Sequence, residues 1–349
     1  MITYRALVLV RALARRLPQP VPGSAGALVS YLAFLGLPEK RANIERNFSV
    51  VLSRSVALPS SRVRCNARAM ARKSMIGYGR VLADFIAFEP LLPGAARDTE
   101  LTPGFDQIER LIKSGRGAIF ATPHFGHWDM AGAVLARRFP GKIAAVAESF
   151  SDPNINDLVV RQREGCGLEI VPMENVRRMT RVLREGRILG LLADRPVDGE
   201  EGVQVRFFGN LTRLPAGAAT LAMLARCPIM VGSLHRRADG RFEGFVLPPI
   251  EPVRTGNRAS DIAATMQMVA EQLETVIRRA PHQWYMFRNM WPGALATVPS
   301  RSFVRRWRLA WLPAAVGSVA LANAIRVRRT AACDAAASMT VPAMQEVSL

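Results

Sequence analysis

Histidine and cysteine are scarce, four of each in 349 residues. Cys65, Cys166, Cys227 and Cys333 are widely spaced, with no pair at metal-ligand or redox spacing and no dense framework. That spacing excludes a zinc knuckle or a disulfide-stapled scaffold and suits a reducing compartment. They read as small core or surface residues. No Gly-x-Ser-x-Gly elbow occurs, which disfavours a serine nucleophile of the hydrolase type. No ribonucleoprotein aromatic motif or basic heptad region occurs, so a nucleic-acid reading would rest on charge alone. The turn-rich acidic loop Asp198-Gly-Glu-Glu-Gly202 lacks EF-hand spacing, so calcium has no support.

Long uninterrupted apolar runs are also missing. Leu17 to Pro38 carries no charge, but Pro18, Pro20 and Pro22 break its first third and leave an apolar helix from about Ala25 to Leu37. That is short of the roughly 20 residues a membrane span needs, leaving a core helix or a shallow interfacial insertion. Leu309 to Ile325 is uncharged but contains Pro313 and Gly317. Arginines frame it on both sides (Arg301, Arg305, Arg306 and Arg308 before, Arg326, Arg328 and Arg329 after), which favours a segment lying at a membrane surface. Residues 330–349 read as disordered.

Acidic residues are in short supply, 28 Asp plus Glu against 47 Lys plus Arg, for a formal net charge of +19. Such an excess calls for an anionic partner, and an anionic membrane surface fits better than nucleic acid. With 49% hydrophobic residues the chain is long and apolar enough to bury a full core.

What is present is organised around Gly117 to Arg137. Ala118 to Ala121 reads as a short buried strand ended by Pro123. A helix follows from Asp129, with Met130, Val134 and Leu135 at helical spacing and Arg137 and Arg138 in the last turn. The polar corner between them holds His124 and His127. Asp129, five positions after His124, could fold back from the first helical turn onto the imidazole and fix its tautomer, making a general base aimed at a hydroxyl. A corner histidine beside a helix N-terminal carboxylate is the plainer alternative. A metal at His124, His127 and Asp129 would need a further strong ligand, and His235 and His282 have no ligand-like spacing.

On either side of this corner the chain divides into three regions. Residues 1–97 read as a helical, membrane-associating N-terminal region: a basic amphipathic helix over 1–16 that is retained rather than cleaved, the apolar helix, and a basic helical stretch from Glu39 to Arg97. Residues 98–293 read as an α/β core with a mostly parallel central sheet flanked by helices. Strands are expected at Lys142 to Ala147, Leu168 to Val171, Ile188 to Ala193, Val203 to Phe208, Ile229 to Leu234 and Phe242 to Leu247. Helices are expected at Pro153 to Glu164, Asn175 to Arg184, Ala216 to Arg226 and over 258–280. The aromatic and methionine-rich His282 to Pro292 reads as core, and as a possible floor for an acyl pocket. Residues 294–349 form the basic tail.

In open α/β sheets the site lies outside the carboxyl ends of the strands. His124 follows the strand ending at Thr122, Glu148 the one ending at Ala147, and Asp194 and Arg195 the one ending at Ala193. Several ionisable groups therefore converge on one rim.

Pro123-His-Phe-Gly-His-Trp-Asp129, Ala147-Glu148, Arg163-Glu164 with Gly167, Leu192-Ala-Asp-Arg195, Val203 to Gly209 ending Phe-Phe-Gly, and Gln283-Trp-Tyr-Met286 occur in that order. Over residues 1–293 this resembles the bacterial glycolipid acyltransferases that include the lipid A late acyltransferases and the phosphatidylinositol mannoside acyltransferase. The resemblance implies a glycerolphosphate acyltransferase-like fold, a peripheral or monotopic place on the cytoplasmic face of the inner membrane, and transfer of an acyl chain from acyl-CoA or acyl carrier protein to a hydroxyl of a membrane glycolipid or lysophospholipid, without a cofactor. It implies His124 as base and Asp129 as its partner, with Glu148, Arg163, Asp194 and Arg195 around the substrate. Ala-Glu, Leu-Ala-Asp-Arg and Pro-Ala-Gly-Ala-Ala stand nearer the mannoside branch. Asp129 replaces the Glu common in lipid A enzymes, and His127 stands where Asn is frequent. Amides of the Phe125-Gly126 turn, Arg163 or Arg195 are the candidate donors to an oxyanion. An acyl hydrolase, or a silent lipid-binding protein on the same scaffold, is the alternative.

Overall fold

Ala118–Thr122 forms the middle strand of a seven-stranded sheet, and its side chains alternate between two cores. Ala118 and Phe120 pack into one apolar cluster with Ile108 and Leu135. Ile119 and Ala121 face a larger one built from both halves of the chain. The computed structural model describes residues 2–18, 20–55, 60–101, 103–195 and 202–291. The acidic loop at Asp198 to Glu201 and the basic tail fall outside the described residues.

Five helices come first: α1 (Ile2–Ala14), α2 (Val21–Gly36), α3 (Pro38–Ser55), α4 (Ser60–Ile86) and α5 (Phe88–Asp98). Helix α2 begins at Val21 rather than near Ala25, because prolines are tolerated in a first turn whose N–H groups have no intrahelical partner. It is half core and half surface. Ala27, Ser30 and Phe34 are buried, while Leu28, Val29, Leu32 and Leu35 are exposed. Its crossing on α4 is close enough to require glycine on both helices, since a Cβ on Gly26 would sit 2.2 Å from the Gly79 carbonyl oxygen.

Next come β1 (Glu100–Leu101), α6 (Asp106–Lys113), β2 (Ala118–Thr122), α7 (Trp128–Arg138), β3 (Ile143–Ala147), α8 (Pro153–Glu164), β4 (Glu169–Pro172), α9 (Val176–Arg184) and β5 (Ile188–Leu192). The chain continues through β6 (Val203–Phe207), β7 (Asn210–Leu214), α10 (Gly217–Ala225), β8 (Ile229–Arg236), β9 (Phe242–Val246) and α11 (Arg258–Arg279). The strand order is β1-β9-β8-β2-β5-β3-β4, parallel throughout except for the β8–β9 pair.

Two features depart from the sequence reading: an unexpected strand over Asn210–Leu214, and a Val203 strand that does not join the main sheet. It pairs antiparallel with β7 in a separate hairpin, whose two-residue loop, Phe208 and Gly209, has φ +46° and +72°. Two positive φ values suit the strand twist of a tight hairpin, but Phe at the first of them hides the usual Asn-Gly signal. Cys166 and Cys227 are free and buried.

Candidate active site

Strands β2 and β5 run parallel, with Thr122 opposite Leu192 and the Ala193 N–H bonded to the Thr122 carbonyl at 3.0 Å. The residues just past both strand ends therefore emerge side by side at the carboxyl rim. The side chain of Asp194, fully buried, faces His124. Its Oδ1 lies 2.6 Å from His124 Nδ1, and its Oδ2 accepts the His124 backbone N–H at 2.9 Å and the Trp284 indole N–H at 2.7 Å. A carboxylate so placed accepts from Nδ1–H, an assignment made from the bonding network, and leaves Nε2 with its lone pair directed outward.

This corrects two expectations at once. The carboxylate on the imidazole is that of Asp194 and not that of Asp129, and Asp194 is enclosed by protein groups instead of facing a substrate. Asp129, in the first turn of α7, accepts from Arg163 Nε at 2.8 Å, and the Arg163 guanidinium also lies over the Phe85 ring. In the first turn of α7 it is Trp128 whose ring packs against His124, and Asp129, about 100° further round the helix, points to Arg163 of α8 instead.

Glu148 and Arg195 do meet at the rim. Both carboxylate oxygens of Glu148 accept from Arg195 Nη1, at 2.7 and 2.8 Å, and Arg195 Nη2 stands 3.5 Å from His124 Nε2. Arg195 is thus the cation next to the open side of the imidazole, and Glu148 reaches the ring only through it. The corner amides, by contrast, are engaged. Phe125 N–H bonds the Pro123 carbonyl, Gly126 N–H the Gln283 carbonyl at 3.0 Å, and His127 N–H the Leu234 carbonyl at 2.8 Å. With those amides spoken for and Arg163 turned to Asp129, Arg195 is the expected oxyanion donor that keeps a free approach.

The segment after α11, which carries the Gln283-Trp-Tyr-Met286 motif, clasps the corner: Phe125 and Trp284 form an antiparallel bridge, and Tyr285 N–H donates to the His124 carbonyl at 2.8 Å. Trp284 sits among Phe48, Phe207, Phe208 and Trp291. From the ring of His124 a chain of aromatic contacts runs through Trp128 and Tyr285 to Tyr78 on α4. Burial raises the pKa of the Tyr78 hydroxyl, against the opposing pull of Arg195.

His127 is buried between Phe88 and Phe242, caps α7 by accepting from the Met130 N–H through Nδ1, and turns Nε2 toward Asp84 Oδ2 at 3.9 Å. Burial, with Arg236 adding to it, lowers its pKa to about 3. Among the described residues no group of His, Cys, Asp or Glu is arranged to hold a metal ion.

Residues 2–292 match the family model of the bacterial lipid A biosynthesis acyltransferases. A phosphatidylinositol mannoside acyltransferase of Mycolicibacterium smegmatis is 30% identical over 293 residues, 82% of this chain and 90% of that protein. A protein of the same description from Mycobacterium tuberculosis H37Rv is 32% identical over 198 residues, 55% of this chain, and the match spans 60% of that relative's length. The two halves of the rim, the corner after β2 and the Asp194-Arg195 pair after β5, both fall inside the matched span, and the chain belongs to the bacterial lipid A biosynthesis acyltransferase family.

Proposed function

We propose that this chain is a membrane-peripheral O-acyltransferase that moves a fatty acyl chain from a thioester, acyl-CoA or acyl carrier protein, to a hydroxyl of a glycolipid. The observation that carries the reading is the imidazole of His124, tied to a buried carboxylate through Nδ1 and open at Nε2 beside an arginine. Nε2 takes the hydroxyl proton as the acceptor oxygen bonds to the thioester carbonyl carbon. The carbon–sulfur bond then breaks, and the proton passes to the departing thiolate. Asp194 holds the ring and offsets the imidazolium charge, while Arg195 faces the developing oxyanion. Base catalysis of this kind supplies about 10²- to 10⁴-fold. No cofactor is needed for any step.

The descriptions of the mycobacterial relatives support an inositol mannoside type of acceptor over a lipid A precursor or a lysophospholipid. A site on the cytoplasmic face of the inner membrane accords with a cytosolic thioester donor. Among the described residues no single helix is long and apolar enough to cross a membrane, although α2 with the first part of α3 would pass as a pair bent by 98°. Peripheral attachment instead draws support from the exposed apolar side chains of α1 and α2, Leu9, Leu13, Leu28, Val29 and Leu32 among them, on a strongly basic chain. Helix α2 is pinned to α4 at Gly79, next to Tyr78 of the aromatic chain, so this apolar face adjoins the helix that lines the site.

Purified protein is incubated with labelled acyl-CoA or acyl carrier protein, with and without inositol mannoside acceptors. Transfer that disappears in a folded His124→Ala variant is the expected result. Retained turnover in that variant removes His124 as base. Free fatty acid in place of acylated lipid makes the protein a hydrolase, and no turnover with any acceptor leaves the silent lipid-binding alternative.

A further inference from the structure

Helices α6, α8 and α11 pair exposed cations with carboxylates four residues away: Arg110 with Asp106, Lys113 with Glu109, Arg161 with Asp157, and Arg278 with Glu274. On α9 the exposed side chains are Val176, Arg177, Arg181 and Arg184, and the three arginines form one stripe with no carboxylate among them. Among the described residues none of the three has an ion-pair partner. Like charges at i, i+4 and i, i+3 repel, and the placement of Arg181 and Arg184 in the last turn, where cations suit the dipole, offsets part of that cost. Arg178, one position off the stripe, is by contrast held by Glu169 and Glu185.

The stripe lines a hollow of about 540 Å³ together with Val176, Thr180 and Leu224. Glu185 also borders it, but that carboxylate is occupied by Arg178 and Arg187. Leu224 lies on α10, and beyond it Arg254 donates to the Met223 carbonyl and joins Arg226, Arg116 and Glu251 around a second hollow, where Glu251 pairs with Arg116. Helix α9 starts at the carboxyl end of β4 and ends just before β5, so the groove leads away from the rim that bears Glu148 and Arg195.

We propose that this groove docks the acidic helix of a protein partner, and, resting on the function proposed above, that the partner is the protein carrier of the acyl thioester. Charge complementarity sets the sign of the occupant. The lining sets its class, because exposed apolar Val176 and Leu224 lie in a shallow hollow among the arginines, a pattern that matches the mixed acidic and apolar face of an amphipathic helix. A helix with carboxylates three and four residues apart and a few apolar side chains between them fits. Docking there leaves the carrier's prosthetic arm free to reach the rim from the groove's upper end.

The probe is a purified, fluorescently labelled bacterial acyl carrier protein, an acidic helical protein, titrated against the full chain. Arg181→Glu/Arg184→Glu is compared with Arg110→Glu/Lys113→Glu on α6, which changes net charge equally. The α9 variant is expected to weaken binding at least tenfold and the α6 variant less than twofold. Carrier-dependent kcat/KM should fall in step, while acyl-CoA-dependent transfer stays unchanged. Absence of binding by the unaltered chain, equal loss in both variants, or equal loss with acyl-CoA overturns the proposal, as does a defect confined to anionic vesicles. Arg181→Gln/Arg184→Gln serves if the Glu variant melts early. If neither donor supports transfer, the proposed function fails, and the binding titration still decides the groove.

Discussion

Asp194 Oδ1 stands 2.6 Å from His124 Nδ1, while the carboxylate of Asp129, five positions along the chain from that histidine, is bonded to Arg163. The two acids therefore act differently. Asp194→Asn offers an amide where Nδ1–H needs an acceptor, and an amide that turns its NH2 inward forces the other tautomer. Acyl transfer is expected to fall by about 10²- to 10⁴-fold. Asp129→Asn breaks a pair that does not include the imidazole, so its pH–rate profile should keep the midpoint of the unaltered enzyme. Measuring kcat against pH for both variants decides between them, and a shifted midpoint in Asp129→Asn would return the orienting role to that residue.

Trp284 contributes one proton to the same carboxylate, from Nε1 to Asp194 Oδ2 at 2.7 Å. Trp284→Phe keeps an aromatic ring against Phe48 and Phe208 but removes that donor and part of the ring volume. A hydrogen bond to a charged group is worth about 1.5–3 kcal/mol, and its loss leaves a buried carboxylate oxygen with one donor fewer. Transfer is expected to fall by about tenfold or more, with the larger part in kcat. A variant that loses melting temperature but keeps kcat would make the tryptophan a packing residue alone.

Apart from β7, the strands and helices from Ala118 to Arg236 were legible because each is a short apolar run or an amphipathic repeat bounded by Pro, Gly or an Asx cap, as in Asp152 before α8 and Asn175 before α9. The rim was legible too, since strand ends bearing His124, Glu148, Asp194 and Arg195 must share one edge of a parallel sheet. Which two of them touch was not. That depends on β5 lying directly beside β2, an adjacency set by crossovers through β3 and β4 that no local pattern records. Spacing along the chain favoured Asp129, and lateral strand order overruled it. The clasp of Trp284 was equally hidden, because it comes from a segment nearly 160 residues downstream with no strand signal of its own.

Gly126 has φ +62°, and a Cβ there would lie 2.0 Å from the Leu234 carbonyl oxygen, the same oxygen that accepts from the His127 N–H. Left-handed backbone and backbone contact both exclude a side chain. Gly126→Ala must push the corner away from β8 and loosen the His124 backbone with it. The expected loss is several kcal/mol of unfolding free energy, read from denaturant midpoints, together with loss of transfer. A stable, active Gly126→Ala protein would show that the corner has room that this geometry denies.

His127 gives the fold a pH dependence of known sign. Its imidazole is nearly inaccessible, and burial, helped by Arg236, holds its pKa at about 3 in the folded chain against 6.5 for the free group. The unfolded chain therefore binds a proton at His127 over a range in which the folded chain does not. The resulting stability is full above pH 6.5 and drains away as pH falls from there toward 3. At pH 5 the loss from this one group comes to about 2 kcal/mol. Burial also lowers the pKa of His235 and His282, which adds to the same trend. The raised pKa of Asp84 opposes it, but only toward the carboxylate range. Melting curves between pH 5 and 7.5 should accordingly fall more steeply for the unaltered chain than for His127→Asn, whose amide oxygen can still cap α7 through the Met130 N–H. The comparison rests on the slope with pH and not on the absolute melting temperature, since the substitution also changes packing against Phe88 and Phe242. Parallel slopes would mean that His127 is protonated inside the fold with Asp84, whose Oδ2 lies 3.9 Å from its Nε2, as counter-charge; burial and Arg236, which already holds that carboxylate, both oppose this.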